Sequence, residues 1–144
     1  MQRFEAERLR RELKLVSWDE FYFNILSQIS SRSNSEERRQ GAILVKNNCI
    51  IATGCFDAYE TKEEGKDKVI GSGAIENAIA YCAGNGTSTS EATLYTYTFP
   101  NDIVCKLLMK AGIKEIKCAK PNNSVLGKDL CEKIGIKITI FKRE

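Results

Sequence analysis

The sequence predicts an α/β protein, a three-layer α/β/α sandwich on a mixed five-stranded sheet. Three observations carry this. From about residue 73 onward, short apolar runs alternate with segments of helical period, the pattern of parallel strands joined by helical crossovers. Upstream, two apolar runs flank Lys46-Asn47-Asn48, a tight-turn signal, so one antiparallel hairpin precedes the alternating part. The length of 144 residues supports a single core, and 42% hydrophobic with 28% charged residues is the balance of a globular domain.

Each element has its own warrant. Residues 1–16 read as an N-terminal helical arm, with Leu9, Leu13 and Val16 in a thin apolar stripe among Arg3, Arg8, Arg10, Arg11 and Lys14. Such a helix docks on its own domain or on a partner chain. Residues 17–144 form the single domain. Ser17-Trp18-Asp19-Glu20 is a capping box, in which Ser and Glu satisfy each other's free amides. The helix after it carries Trp18, Phe21, Tyr22, Ile25, Leu26 and Ile29 on one face, then runs into the polar stretch Ser30 to Gln40. Strands are predicted at Ala42–Val45 and Cys49–Thr53. Residues 57–72, containing Lys62-Glu63-Glu64-Gly65-Lys66-Asp67-Lys68, read as a solvated loop. A helix over Gly73–Ala83 buries Ile75, Ala78, Ile79 and Cys82 and stops near Gly84. A strand at Leu94–Phe99, a helix at Asp102–Ala111 closed by Gly112, a strand at Ile113–Ala119, a helix at Val125–Ile134 closed by Gly135 and a strand at Ile136–Phe141 complete the order. Pro100 and Pro121 both fall at boundaries.

Composition narrows the function classes. A net charge of +3 is too mild to argue for nucleic acid, and Glu5, Glu7 and Glu12 dilute the arginines of the arm. No apolar run approaches the ~20 residues of a membrane span, and no secretory pattern is present. A cytoplasmic protein is expected. The six cysteines, Cys49, Cys55, Cys82, Cys105, Cys118 and Cys131, form no C-x-x-C pair and lie mostly in apolar segments, so they read as reduced, buried thiols.

Several segments, in order and spacing, resemble the cytidine deaminase fold and, more narrowly, the deoxycytidylate (dCMP) deaminase family. They are Trp18-Asp19-Glu20-Phe21, Ser31-Arg32-Ser33, Gly41-Ala42-Ile43-Leu44-Val45, Glu76-Asn77-Ala78-Ile79, Leu94-Tyr95-Thr96-Tyr97-Thr98-Phe99-Pro100 and Ala111-Gly112-Ile113-Lys114-Glu115-Ile116. The resemblance implies a zinc ion held by a His-Ala-Glu helix start and a Pro-Cys-x-x-Cys helix start. There zinc-bound hydroxide attacks the cytosine ring and the Glu moves the proton.

Placed on this chain, the His position is Gly73, the Glu position is Ile75 and the two Cys positions are Asn101 and Val104. The chain contains no histidine at all. Loss of the proton shuttle alone removes about 10²–10⁴ in rate, and loss of the ligands removes the nucleophile. Glu76 is rotated ~100° from the shuttle position and Cys105 lies one residue past a ligand position, so neither is expected to rescue a metal. Ile75 and Val104 are expected to fill the emptied space as a small apolar plug. On the substrate side, the resemblance sets Arg32 near a nucleotide phosphate, although a helix-end surface arginine reads equally well. It also sets Phe56 where a sugar-contacting Asn stands, with Asp57 closing that turn. Residues 57–72 lack the His and Cys that hold an extra metal in some members.

The expectation is therefore a catalytically inactive deaminase-fold protein, without cofactor or metal, that acts by binding. It would serve as a structural or regulatory subunit of a homo- or hetero-oligomer, with an active deaminase-fold chain as one possible partner. Two alternatives stand beside it: a nucleotide sensor for dCTP, dTTP or a dCMP-like ligand, and a residual deaminase with a rearranged metal site.

Overall fold

Alternation along the strands decides how the sheet is buried. In a computed structural model describing residues 3–13, 15–33, 40–120 and 125–142, Ala52, Leu44, Leu94, Ile116 and Ile138 stand side by side, one from each of five strands. The strands are β1 (Gly41–Lys46), β2 (Cys49–Cys55), β5 (Thr93–Thr98), β6 (Glu115–Lys120) and β7 (Lys137–Ile140). Their spatial order is β2-β1-β5-β6-β7. β1 is antiparallel to β2 and β5, while β5, β6 and β7 are parallel, which gives the mixed sheet. The row just described faces α3 (Ala74–Gly84), α4 (Asp102–Ala111) and α5 (Val125–Lys133), and with Ala78, Cys82, Cys105, Leu108 and Cys131 it makes the larger core.

The adjacent row, Thr53, Ile43, Tyr95, Lys117 and Thr139, points to the other face. There α2 (Trp18–Ser30) packs Tyr22, Phe23 and Leu26 onto Ile43, Val45 and Tyr95. Phe23 also stacks on Phe141, ring centroids 4.6 Å apart. A half-buried charged pair in this layer is well partnered. Asp19 accepts from the Tyr95 hydroxyl at 2.7 Å and from Lys117 at 2.8 Å, tying the start of α2 to β5 and β6. One helix thus covers one face and three cover the other, the expected three layers.

Local chemistry fixes the ends. Ser17 Oγ accepts from the Glu20 amide at 3.1 Å. Asn47 and Asn48 take positive φ values of 51° and 58°, so the β1–β2 turn is the primed type that matches strand twist. Gly112 closes α4 in the left-handed region at φ 79°. Gly54 of β2 lies directly under α3, where an added Cβ would come within 2.1 Å of the Ala74 carbonyl oxygen. No disulfide joins the cysteines. Cys82, Cys105, Cys118 and Cys131 are buried, Cys55 is half-buried and Cys49 is exposed. No helix among the described residues is long and apolar enough to cross a membrane.

Two expectations need correction. Residues 57–72 are not a loop: they form a second hairpin, β3 (Asp57–Glu63) and β4 (Lys66–Ser72), in a separate two-stranded sheet. Glu64 and Gly65 both take positive φ and turn the chain in two residues. Tyr59 pairs with Ile70, and Lys68 bridges to Glu63 at 2.8 Å. The strands were hidden because neither face meets the core, so no apolar alternation marks them. The helix of the arm is likewise shorter than expected, α1 (Arg3–Glu12), and contains no fully buried residue; of the apolar stripe Leu9 is half-buried, while Leu13 and Val16 are exposed. Lys14, Pro121 and residues 34–39 of the polar stretch lie outside the described residues.

Candidate functional site

Antiparallel pairing brings the start of β1, the end of β2 and the end of β5 to one edge of the sheet. Helices α3 and α4 both begin at that edge. Asn77 holds α3 there, donating to the Cys55 carbonyl at 2.8 Å and the Ser72 carbonyl at 3.4 Å. Asn101 is the N-cap of α4, its Oδ1 accepting from the Val104 amide at 2.9 Å. Between the helix starts lies a cleft of about 530 Å³.

Gly73, Ile75, Asn101 and Val104 all line this cleft. Phe56 lines it too, its ring set against Gly71 of β4, so the second hairpin contributes to one wall. Gln40, Thr96, Thr98, Phe99 and Pro100 complete much of the rim and floor. Arg32 lies exposed at the end of α2 and does not line the cleft; Asp57, half-buried at the start of β3, does not line it either.

The expected plug is not what forms. Ile75 and Val104, each 8% exposed, sink into the larger core as part of the floor, and the space above them stays open. Side-chain type alone did not reveal this, because the opening is set by the separation of two helix starts, each anchored by its own hydrogen bonds.

The residue that sequence reasoning passed over is Glu76. Side chains on a helix lean toward its N-terminus and three-residue neighbours share a face. Glu76 accordingly folds back over Gly73, the N-cap, and lines the cleft. Its two carboxylate oxygens stand 2.5 and 2.6 Å from where a Gly73 Cβ would be, so a side chain at position 73 would evict them. The i, i+3 spacing to a glycine N-cap was the available signal.

Zinc, which the resemblance implies here, does not fit these residues. Zinc sites are built from imidazole, thiolate and carboxylate, and the four converging positions supply none. The Asn101 oxygen is engaged in capping. Cys105 turns away into the core, its thiol donating to the Pro100 carbonyl at 3.5 Å, and burial pushes it up to about 12, far from the thiolate a metal needs. Glu76 remains as a single carboxylate. Among the described residues, no group of three or more His, Cys, Asp or Glu side chains could hold a metal ion.

Comparison with known proteins agrees with the frame. The family model for the cytidine and deoxycytidylate deaminase zinc-binding region matches residues 16–120. The deoxycytidylate deaminase of Schizosaccharomyces pombe is 31% identical over 117 residues, covering 69% of this chain and 36% of that protein. That of Saccharomyces cerevisiae is 28% identical over 127 residues, covering 78% and 40%. The chain therefore spans well under half the length of these curated relatives. The dCMP deaminase of cyanophage S-TIM5, solved in complex with dCMP and dUMP, superposes with a TM-score of 0.71 at 23% identity, covering 85% of this chain and 95% of that one. The chain belongs to the cytidine and deoxycytidylate deaminase family.

Proposed function

We propose that this chain is a non-catalytic member of its family that acts by binding, as a regulatory or structural subunit of an oligomer. One observation carries the reading. The positions that resemble the zinc ligands and the proton shuttle converge on one cleft as Gly73, Asn101, Val104 and Ile75. A glycine, an amide and a valine do not generate a hydroxide at neutral pH, and an isoleucine moves no proton.

The test pairs the natural chain with G73H/I75E/N101C/V104C, which rebuilds the family's constellation. Metal analysis and ammonia release from dCMP and cytidine are expected to be negative for the natural chain, while the rebuilt chain gains zinc. Stoichiometric zinc or turnover in the natural chain overturns the reading.

The open cleft favours a second element of the same reading, that a nucleotide or nucleoside is bound without reaction. The volume of about 530 Å³ lies in the range of roughly 300–1,000 Å³ for small-molecule sites. The cyanophage relative, described with dCMP and dUMP, supports a nucleotide-sized occupant. Thermal-shift measurements with dCMP, dCTP and dTTP test it: no stabilisation by any of them at millimolar concentration counts against a nucleotide ligand and leaves the subunit role. Cytoplasmic location belongs to the same proposal.

A further inference from the structure

We infer that the β3–β4 hairpin joins two copies of this chain, the outer edge of β3 pairing antiparallel with β3 of the second copy about Thr61. The inference rests on the reading that the chain is a subunit of an oligomer, and it names one partner and the surface that meets it.

The hairpin is unfinished as a sheet. Among the described residues β3 pairs with β4 alone, and the two belong to no larger sheet. Every residue of β4 is exposed, and so is β3 from Tyr59 onward. Two strands alone are marginal in water, and independent stability takes three or more. A second hairpin added edge to edge makes one continuous sheet in the order β4-β3-β3-β4.

The turn fixes which backbone groups are offered. Its two residues are Glu64 and Gly65, so Glu63 and Lys66 are the hydrogen-bonded pair that closes it. Bonded and non-bonded pairs then alternate along the ladder. Thr61 turns its N–H and C=O toward β4, while those of Glu60 and Lys62 point outward from β3.

Charge then selects the partner strand and its register. Two antiparallel copies of one strand, related by a two-fold axis, centre on a residue that faces itself. Centred on Thr61, Glu60 stands opposite the second copy's Lys62, and Lys62 opposite the second copy's Glu60. Both positions are the ones whose backbone groups point outward, so the two charge pairs coincide with the new hydrogen-bonded pairs. Thr61 meets itself, a favourable cross-strand pair. Charged edge residues normally keep other strands away. Here their signs and spacing reject centring on Glu60 or Lys62, which would set each charge against itself, and favour centring on Thr61. The edge of β4 has no such register. Centring on Asp67 or Lys68 opposes like charges, and centring on Val69 or Ile70 pairs none.

Sedimentation equilibrium of the whole chain, natural and as E60K, K62E and E60K/K62E, tests this at concentrations up to roughly 300 µM, suited to a small interface. The natural chain is expected to associate. Each single reversal sets like charges opposite one another at two places and should weaken association by about tenfold or more. The double reversal restores both pairs with signs exchanged and should recover most of the loss. Glu60 faces the uncharged Val69 within its own hairpin, so E60K disturbs no charge pair there, whereas Lys62 faces Asp67. That internal clash persists in the double variant, so recovery there reports contact between copies and not repair of the hairpin. Association unchanged in E60K, or not recovered in the double variant, overturns the inference, and the subunit reading survives on another surface. A natural chain that stays monomeric throughout also overturns the inference. Stoichiometric zinc or ammonia release from dCMP overturns the reading beneath it, and neither depends on the hairpin.

Discussion

Replacing Gly54 by alanine is expected to unfold the protein about 10 °C earlier. An added Cβ would stand 2.1 Å from the Ala74 carbonyl oxygen and 2.8 Å from the Ala78 amide nitrogen. Cβ contacts do not fall below 3.0 Å, so α3 must withdraw by about 0.9 Å, the difference between 3.0 and 2.1 Å. Both atoms are helix backbone, with no flexible tip to give way, and the helix has to move as a body. Overpacking a tight interior costs about 1–3 kcal/mol, and a backbone-to-backbone collision belongs at the upper end. For a chain of this length each kcal/mol lowers the melting temperature by about 3–4 °C. Circular dichroism melts of G54A beside G84A measure it. Gly84 ends the same helix and has nothing within 4 Å of its Cβ position, so G84A should be neutral or slightly stabilising. A G54A melt within about 3 °C of the natural chain would refute the close seating of α3. The same withdrawal would carry Gly73 and Glu76 out of place, so ligand binding should weaken with stability.

Two further outcomes follow from buried groups. Burial pushes the Cys105 and Cys118 thiols up to about 12 and about 11, above the ordinary 9.0, so the folded chain keeps protons that the unfolded chain releases. Stability should be full below about pH 9 and fall as pH climbs toward 11–12, by up to about 1.4 kcal/mol per pH unit per thiol. Denaturant titrations from pH 8 to 11 measure this, and a midpoint that does not decline refutes it. D19N keeps one acceptor for Tyr95 and Lys117 but strips the charge from a pair whose side chains are 29% and 19% exposed. A loss of about 1–3 kcal/mol is expected by urea unfolding, and an unchanged midpoint would show that α2 is held by its apolar face alone.

The layers were legible because their cause is local. The apolar positions of α2 and the short runs at β1, β5 and β6 are patterned by the faces they bury, so periodicity alone located them. The helix starts at Gly73 and Asn101 were legible for the same reason: each follows an identifiable boundary. The second hairpin was not, because its cross-strand pairs bury nothing and its Glu64-Gly65 turn is spelled in residues equally common in loops. The cleft's openness depends on the distance between two helices, which no single segment encodes. Glu76 was legible in principle, and was passed over because its rotation about the helix axis was weighed without the backward lean of the side chain. Arg32 shows the opposite limit: its segment matched, while the end of α2 leaves it outside the cleft.

The β3–β4 hairpin has a consequence for how this chain can change over time. Asp57 and Ser72 are cross-strand neighbours, so the excursion returns almost to where it left. Its strands belong to their own sheet and contribute no residue to either core cluster. A graft, a shortening or a recoding of residues 58–70 would leave the ladder of the main sheet intact, touching the cleft only where Phe56 meets Gly71. The domain thus offers a replaceable module beside its cleft, one whose sequence can drift or be exchanged without renegotiating the fold.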